Sequence, residues 1–387
     1  MRILFDRFAA WRQFLVLACV SLLVTACAGA IPQSRPQDYV SNVPPPQRPL
    51  LDRPEARPQP QPQPTMAAGP SRELEQAIDA LGRGFNGRVG IAVRDIEDGW
   101  TVSWNGDQYQ PQQSVSKTWV AMTLLDAVDR GQISLDRQVR VGPEDTVVFH
   151  QPMLARVGNS GFTTTLRELF TEAMTRSDNL ANDRILWNVG GPEAVREFFV
   201  RNNLQGLRFG PGERLLQSGI AGLDWQQRYA GRAFYSARAN LSQSVRQAAM
   251  DRYLADPVDG ATANGMVEAL ARLVRGELLS PQSTALMINT MRSSRTGPQR
   301  LRGGVPDGWL FGHKTGTGQN LNGMTAGYND VGIVTTPDGR NYAVAVLIGS
   351  TRVGIPERQR LMQAVMGQVV SHHLRRRYER FTGGAMR

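Results

Sequence analysis

Two short runs carry the residue types that acyl transfer needs. Ser114-Val115-Ser116-Lys117 sets an amine three residues after a hydroxyl, and Lys314-Thr315-Gly316 supplies a second amine beside another hydroxyl. Lysine is the informative residue here. Lysine and arginine together number 44, yet Lys117 and Lys314 are the only lysines in the chain. Arginine can furnish surface charge but stays protonated, whereas a buried lysine amine can give up its proton. Chance placement in a lysine-poor chain is the bland alternative. Against it stands a third run, Ser177-Asp178-Asn179, because S-x-x-K, S-D-N and K-T-G form one catalytic set.

A serine hydroxyl is a weak nucleophile until a neighbouring base takes its proton. If Ser114 opens a helix, Lys117 Nζ reaches its Oγ, and burial together with the Lys314 charge lowers the amine's pKa. Ser177 is expected to pass a proton between Lys117 and a leaving nitrogen, and Asn179 to contact a substrate amide. Lys314 offers charge to a substrate carboxylate, and Thr315 a hydroxyl. The N–H groups of Ser114 and of Thr317, just past Gly316, would form an oxyanion hole. Losing such a donor typically costs about 3–4 kcal/mol of transition-state stabilisation. Taken singly, each run reads more simply as a capped surface helix, a turn or a loop. His313 is a tempting base, but it precedes Lys314 on a strand and so faces the other way, as a structural histidine.

Composition narrows the field. The chain is longer than one ordinary domain, and its 41% apolar content supports a real core. Cys19 and Cys27 lie near the N-terminus, so no disulfide and no cysteine-based metal site is expected in the body. His150, His313, His372 and His373 form no H-x-H or H-E-x-x-H pattern. Neither a metal nor another cofactor is expected. The net charge of +10 is arginine excess and could favour anionic lipid, envelope polymer or nucleic acid. Charge spread over solvated faces is the simpler reading, so no nucleic-acid partner is expected; the chain is expected to be a monomer.

The elements that must position these residues follow in order. Residues 1–26 read as a secretory signal, with Arg2, Arg7 and Arg12 before the apolar run Phe14–Val24. Leu23-Val24-Thr25-Ala26-Cys27 resembles a bacterial lipobox, which makes Cys27 a lipidation candidate; cleavage near Ala26 or Ala28 leaving a free cysteine is the alternative. By the same resemblance, Ala28 favours the outer membrane. Residues 27–70, rich in Pro and Gln, form an extended tether. The body, 71–376, starts with a helix capped by Ser71, then strands at Arg88–Ile96 and Trp100–Trp104. An apolar helix follows Lys117. Residues 163–276 are mostly helical, with Thr165 and Glu168 as a capping-box candidate. Strands return at Trp309–Lys314, Gly327–Thr335 and Tyr342–Ile348, the last two joined through Thr336-Pro337-Asp338-Gly339. A helix over about Pro356–Arg377 closes the body, and 377–387 is a basic tail. The fold class is therefore α/β with a separate all-α lobe that carries the S-D-N loop.

With these runs in view, the sequence resembles the class A serine β-lactamases, among the penicillin-recognising serine enzymes. The resemblance covers Ser71–His373. It rests on Gln113-Ser114-Val-Ser-Lys117-Thr-Trp-Val, Ser177-Asp-Asn-Leu-Ala-Asn, Gly190-Gly-Pro192, Leu278-Leu-Ser, Gly308-Trp, Gly312-His-Lys-Thr-Gly-Thr-Gly318, and Gly332-Ile with Pro337-Asp-Gly-Arg. It implies an antiparallel sheet flanked by helices and hydrolysis through a covalent acyl-enzyme. One segment departs. The family's Trp-Glu-Pro-Glu-Leu-Asn run, whose Glu and Asn hold the hydrolytic water, is replaced by Gly210-Pro-Gly-Glu213-Arg-Leu-Leu-Gln217. The resemblance makes Glu213 the water-activating base and sets Gln217 where the Asn would be. A surface glutamate paired with Arg214 or Arg208 is the alternative. Residues 218–257 exceed the family's loop, with a helical pattern at Val245, Ala248, Ala249 and Tyr253 that could roof the site, before Asp259-Gly-Ala-Thr262 restores the match. β-Lactam hydrolysis is the leading expectation. A D,D-peptidase or amidase acting on cell-wall peptides is the second, and a non-catalytic envelope-binding lipoprotein a distant third.

Overall fold

The computed structural model describes residues 69–383. The signal-peptide and Cys27 readings, most of the tether and residues 384–387 lie outside the described residues. The body opens with α1 (Arg72–Gly84), whose N-cap Ser71 accepts the Leu74 N–H and so satisfies a donor that the first turn leaves free. Strands β1 (Gly87–Asp95) and β2 (Thr101–Trp104) follow, then the short β3 (Gln110–Pro111). A 3₁₀ turn, Gln113–Ser116, leads into α2 (Lys117–Asp129). Ser114 thus sits in this turn, and the α-helix begins three residues later than the sequence suggests. Gln113 causes the difference. Its backbone is left-handed (φ 54°), and its N–H donates to Asp259 Oδ2 at 2.8 Å instead of joining the helix.

The helical lobe begins after β4 (Gln138–Val141) and β5 (Phe162–Thr165), with α3 (Leu166–Thr175), α4 (Asn179–Asn188) and α5 (Gly191–Arg201). Thr165 caps α3 by accepting the Glu168 N–H. The reciprocal half of the expected capping box is missing, because the Glu168 carboxylate binds Arg156 and Thr164 instead. α2 threads this lobe with Trp119, Val120, Met122, Leu124 and Leu125 all buried. A helix apolar on every side belongs in a core, and here it delivers Lys117 to the interior.

The long segment before residue 257 is helical: α6 (Glu213–Ala221), α7 (Ala233–Ala239) and α8 (Gln243–Ala255). Leu216 and Ile220 of α6 pack on Met250 and Tyr253 of α8. Ala249 and Tyr253 face inward as expected, whereas Val245 and Ala248 are exposed, because α8 turns its 249–250–253 stripe to the body. The chain then runs through β6 (Gly260–Ala261), α9 (Ala263–Val274) and α10 (Pro281–Arg292) into β7 (Leu310–Thr317), β8 (Asn320–Leu321), β9 (Met324–Thr335) and β10 (Asn341–Thr351).

The main sheet is antiparallel, in the order β2-β1-β10-β9-β7, with β8 pairing β9. Side chains alternate across it. Ile91, Val93, Val344, Val346 and Ile348 face α1 and the closing helix α11 (Ile355–Gly383). Ala92, Ala343, Ala345, Leu347, Val331 and Ile333 face the helical lobe. Both faces are covered, so its strands read as continuous apolar runs. α11 extends past Arg377, and part of the expected basic tail is its last turns. His373 Nδ1 contacts the Tyr342 hydroxyl at 3.2 Å and Arg376 pairs with Asp95 and Asp98, which carries the helix through the expected boundary.

β7 runs directly over the turn that holds Ser114. A Cβ on Gly316 would lie 2.4 Å from Gln112 O, and one on Gly318 would lie 1.6 Å from Ala326 O. Glycine is what permits this approach. Gly316→Ala must therefore push β7 off the Ser114 turn, at about 1–3 kcal/mol of overpacking. Acylation should fall by about 100-fold for a displacement near 1 Å, read as the rate of covalent labelling at Ser114. Labelling at the unaltered rate would show that the close approach does not set the site.

Candidate active site

Ser114, Lys117, Ser177, Asn179, Glu213 and Lys314 converge on one cleft of about 520 Å³, walled also by Thr315 and Thr317. Lys117 is 1% exposed and lies at its floor. Its Nζ donates to Ser114 Oγ at 3.0 Å and stands 3.4 Å from Glu213 Oε2. The other Glu213 oxygen accepts the Asn179 amide at 3.0 Å, and that amide also donates to Val148 O at 2.9 Å. Glu213 is therefore buried in the cleft. The surface alternative fails because Arg208 pairs with Asp256, and Arg214 lies beside Asp183 and Trp225.

Two backbone features place these groups. Asp178 caps α4 by accepting the Ala181 N–H at 2.8 Å, which sets Ser177 in a left-handed turn (φ 60°) and Asn179 in the first helical turn. Gly212 (φ 93°) lets the chain turn into α6 with Glu213 as its first residue. The free Glu213 N–H is taken by Asp183 Oδ1 at 3.1 Å.

Lys314 donates from Nζ to Ser177 Oγ at 2.8 Å and to Thr315 O at 3.0 Å. Burial, then the nearby charges of Lys117 and Arg300, holds its amine well below the usual lysine value. Thr315 Oγ1 is 2.7 Å from Thr296 Oγ1. Gly316 is the contact glycine described above, and Thr317 stands at the cleft edge. His313 turns the other way, as expected, with Nδ1 2.8 Å from Asp330 Oδ1 and Nε2 accepting from Arg302.

Arg300 escapes sequence reasoning. It donates to Gly316 O at 2.9 Å, Asn329 O at 2.6 Å and Thr317 Oγ1 at 2.6 Å, and stacks 3.7 Å from the Tyr328 ring centroid. No run around it marks it among so many arginines. Only its burial at the cleft wall does. Phe149 and His150 also line the cleft, and Phe149 packs edge-on against Phe234 of α7. Gln217 reaches the cleft as well, but its amide is engaged in a chain. Gln319 Nε2 donates to Gln217 Oε1, Gln217 Nε2 to Gln113 Oε1, Gln113 Nε2 to the Tyr253 hydroxyl, and that hydroxyl to Asp259 Oδ1. The long segment is thereby tied to the residue next to Ser114.

Burial raises Asp183 and Asp259 to about 6 each, and the Glu213 charge adds to both. A carboxyl whose folded value lies above its ordinary 3.8 holds its proton more tightly when folded. The stability it contributes is present below that ordinary value and is lost as pH rises toward 6. Asp183→Asn keeps an oxygen for the Glu213 N–H but cannot ionise. It should flatten the fall in Tm across that window, and an unchanged slope in a melting series would remove Asp183 as its source.

Comparison with known proteins identifies the family. The sequence profile of the β-lactamase enzyme family matches residues 73–373. β-Lactamase VEB-1 of Pseudomonas aeruginosa is 26% identical over 279 residues, spanning 72% of this chain and 83% of that protein. The solved TLA-3 extended-spectrum β-lactamase superposes with a TM-score of 0.64 at 25% identity, covering 77% of this chain and 97% of that one. An ancestral class A β-lactamase gives 0.62 at 28% identity, with 77% and 99% covered. The chain belongs to the β-lactamase enzyme family, within its class A serine branch.

Proposed function

We propose that the cleft opens β-lactams through a covalent ester at Ser114 and then hydrolyses that ester with Glu213 as base. The contact that carries the reading is the Lys117 amine, bonded to Ser114 Oγ at 3.0 Å and 3.4 Å from Glu213. In acylation, Ser114 Oγ forms a bond to the lactam carbonyl carbon while its proton passes to the Lys117 amine. The N–H groups of Ser114 and Thr317 receive the developing oxyanion. The carbon–nitrogen bond then breaks, and Lys117 returns that proton through the Ser177 hydroxyl to the leaving nitrogen; Ser177 Oγ also accepts from Lys314. Asn179 orients the substrate amide. Lys314, Thr315, Thr317 and Arg300 make the cationic, hydroxyl-rich wall for the ring carboxylate. In deacylation, Glu213 removes a proton from water as its oxygen attacks the ester carbon; the bond from that carbon to Ser114 Oγ then breaks, and the proton held by Glu213 returns to Oγ through Lys117.

Intact-mass spectrometry of nitrocefin-treated protein tests this. A transient adduct on Ser114 followed by free enzyme and product is expected. A stoichiometric adduct that is never released would move the chain to the penicillin-binding peptidases. Glu213→Ala should keep a labelled Ser114 but slow release by about 10²–10⁴-fold, the span of general-base contributions. Release at the unaltered rate would take Glu213 out of the mechanism.

The N-terminal run supports a further reading: an exported lipoprotein, held by lipid on Cys27 at the periplasmic side of the envelope, with Ala28 favouring the outer membrane. Palmitate should label the full chain and not Cys27→Ser; equal labelling of both would refute the anchor.

A further inference from the structure

Arg238 on α7 and Arg246 on α8 are half-buried, and neither makes an ion pair among the described residues. Arg238 donates from Nη1 to Gln319 Oε1 at 2.9 Å, and its guanidinium lies 5.8 Å from the Tyr235 ring and 6.0 Å from that of Phe234. Arg246 Nε is buried with no hydrogen-bond partner. Arg238 lines the Ser114 cleft beside Gln217, Gln319 and Asn320. Behind it the two arginines share a small pocket with Ile220, Met250 and Leu321. Burial and the charge of Arg246 both make the Arg238 cation harder to hold. Two like charges in a half-buried site without a counter-charge are unfavourable unless an anion arrives. The cleft's own carboxylate, Glu213, is engaged by Lys117 and Asn179.

Position says which anion. The strand that carries Thr315 continues past Ser114 to Gln319, with Gly318 and Gln319 still bonded to Gly327 and Ala326. Four residues of extended chain span about 13 Å. Arg300 and Thr315 hold one end of that run and Arg238 the other. A ring carboxylate at the first end leaves the second facing the acyl side chain.

We propose that Arg238, backed by Arg246, is a specificity-determining site for a carboxylate on the acyl side chain of a β-lactam, so that doubly anionic substrates are preferred. This rests on the β-lactamase reading above. Benzylpenicillin and carbenicillin, which differ by one side-chain carboxylate, form the test pair for the full chain. The kcat/KM ratio of carbenicillin to benzylpenicillin should fall by about tenfold in Arg238→Gln, a charge-assisted bond's worth, and should fall again in Arg238→Gln/Arg246→Gln. Arg246→Gln alone leaves the Gln319 bond in place, so a drop there separates charge from damage to the glutamine chain. The wild-type ratio should also shrink with added salt. A ratio unmoved by these substitutions and by salt overturns the subsite while leaving the hydrolase intact. No turnover of either penicillin by the wild type overturns the parent reading, and the subsite with it.

Discussion

Two amines buried in one cleft are the constraint on which the rest depends. An isolated buried ammonium costs several kcal/mol even after the surroundings relax, and this protein buries Lys117 and Lys314 together with the Arg300 guanidinium. Each is met differently. Lys117 has the Glu213 carboxylate and a hydroxyl, Lys314 has a hydroxyl and a carbonyl oxygen, and Arg300 has two carbonyls, a hydroxyl and an aromatic face. Compensation is uneven, and the deficit falls at Lys314, whose amine is driven toward its neutral form. On the proposed function, a substrate carboxylate entering beside it would supply what the protein withholds.

The long segment between Glu213 and Asp259 belongs to the site as much as the motif residues do. Its first residue is the carboxylate beside Lys117. Its third helix sends the Tyr253 hydroxyl between Gln113 and Asp259, holding the left-handed residue next to Ser114. Non-glycine residues in that conformation persist where surroundings over-determine them. Here four side chains from three parts of the sequence do so.

Much of this was legible in the sequence because it is local. Ser114 and Lys117 are one turn apart, Ser71 caps its own helix, and strand alternation turns His313 away from Lys314. These outcomes need only neighbouring residues. The family's pattern extended the reading to Glu213, where local signals were silent. What stayed hidden is long-range. Arg300 looks like any other arginine until β7 and Tyr328 enclose it, and Asp183 gains meaning only when α6 begins against it. The capping box at Thr165 failed because Glu168 found a nearby guanidinium. Val245 and Ala248 kept helical spacing but lay outside the stripe that α8 buries.

The scarcity of lysine has a practical side. Both lysines of the chain sit in the cleft, at 1% and 0% exposure. Isotope enrichment of that one amino acid would give a spectrum with two side-chain signals, both from the cleft and free of background from the surface. Proton traffic between them could then be followed by nuclear magnetic resonance in a protein of 42.7 kDa.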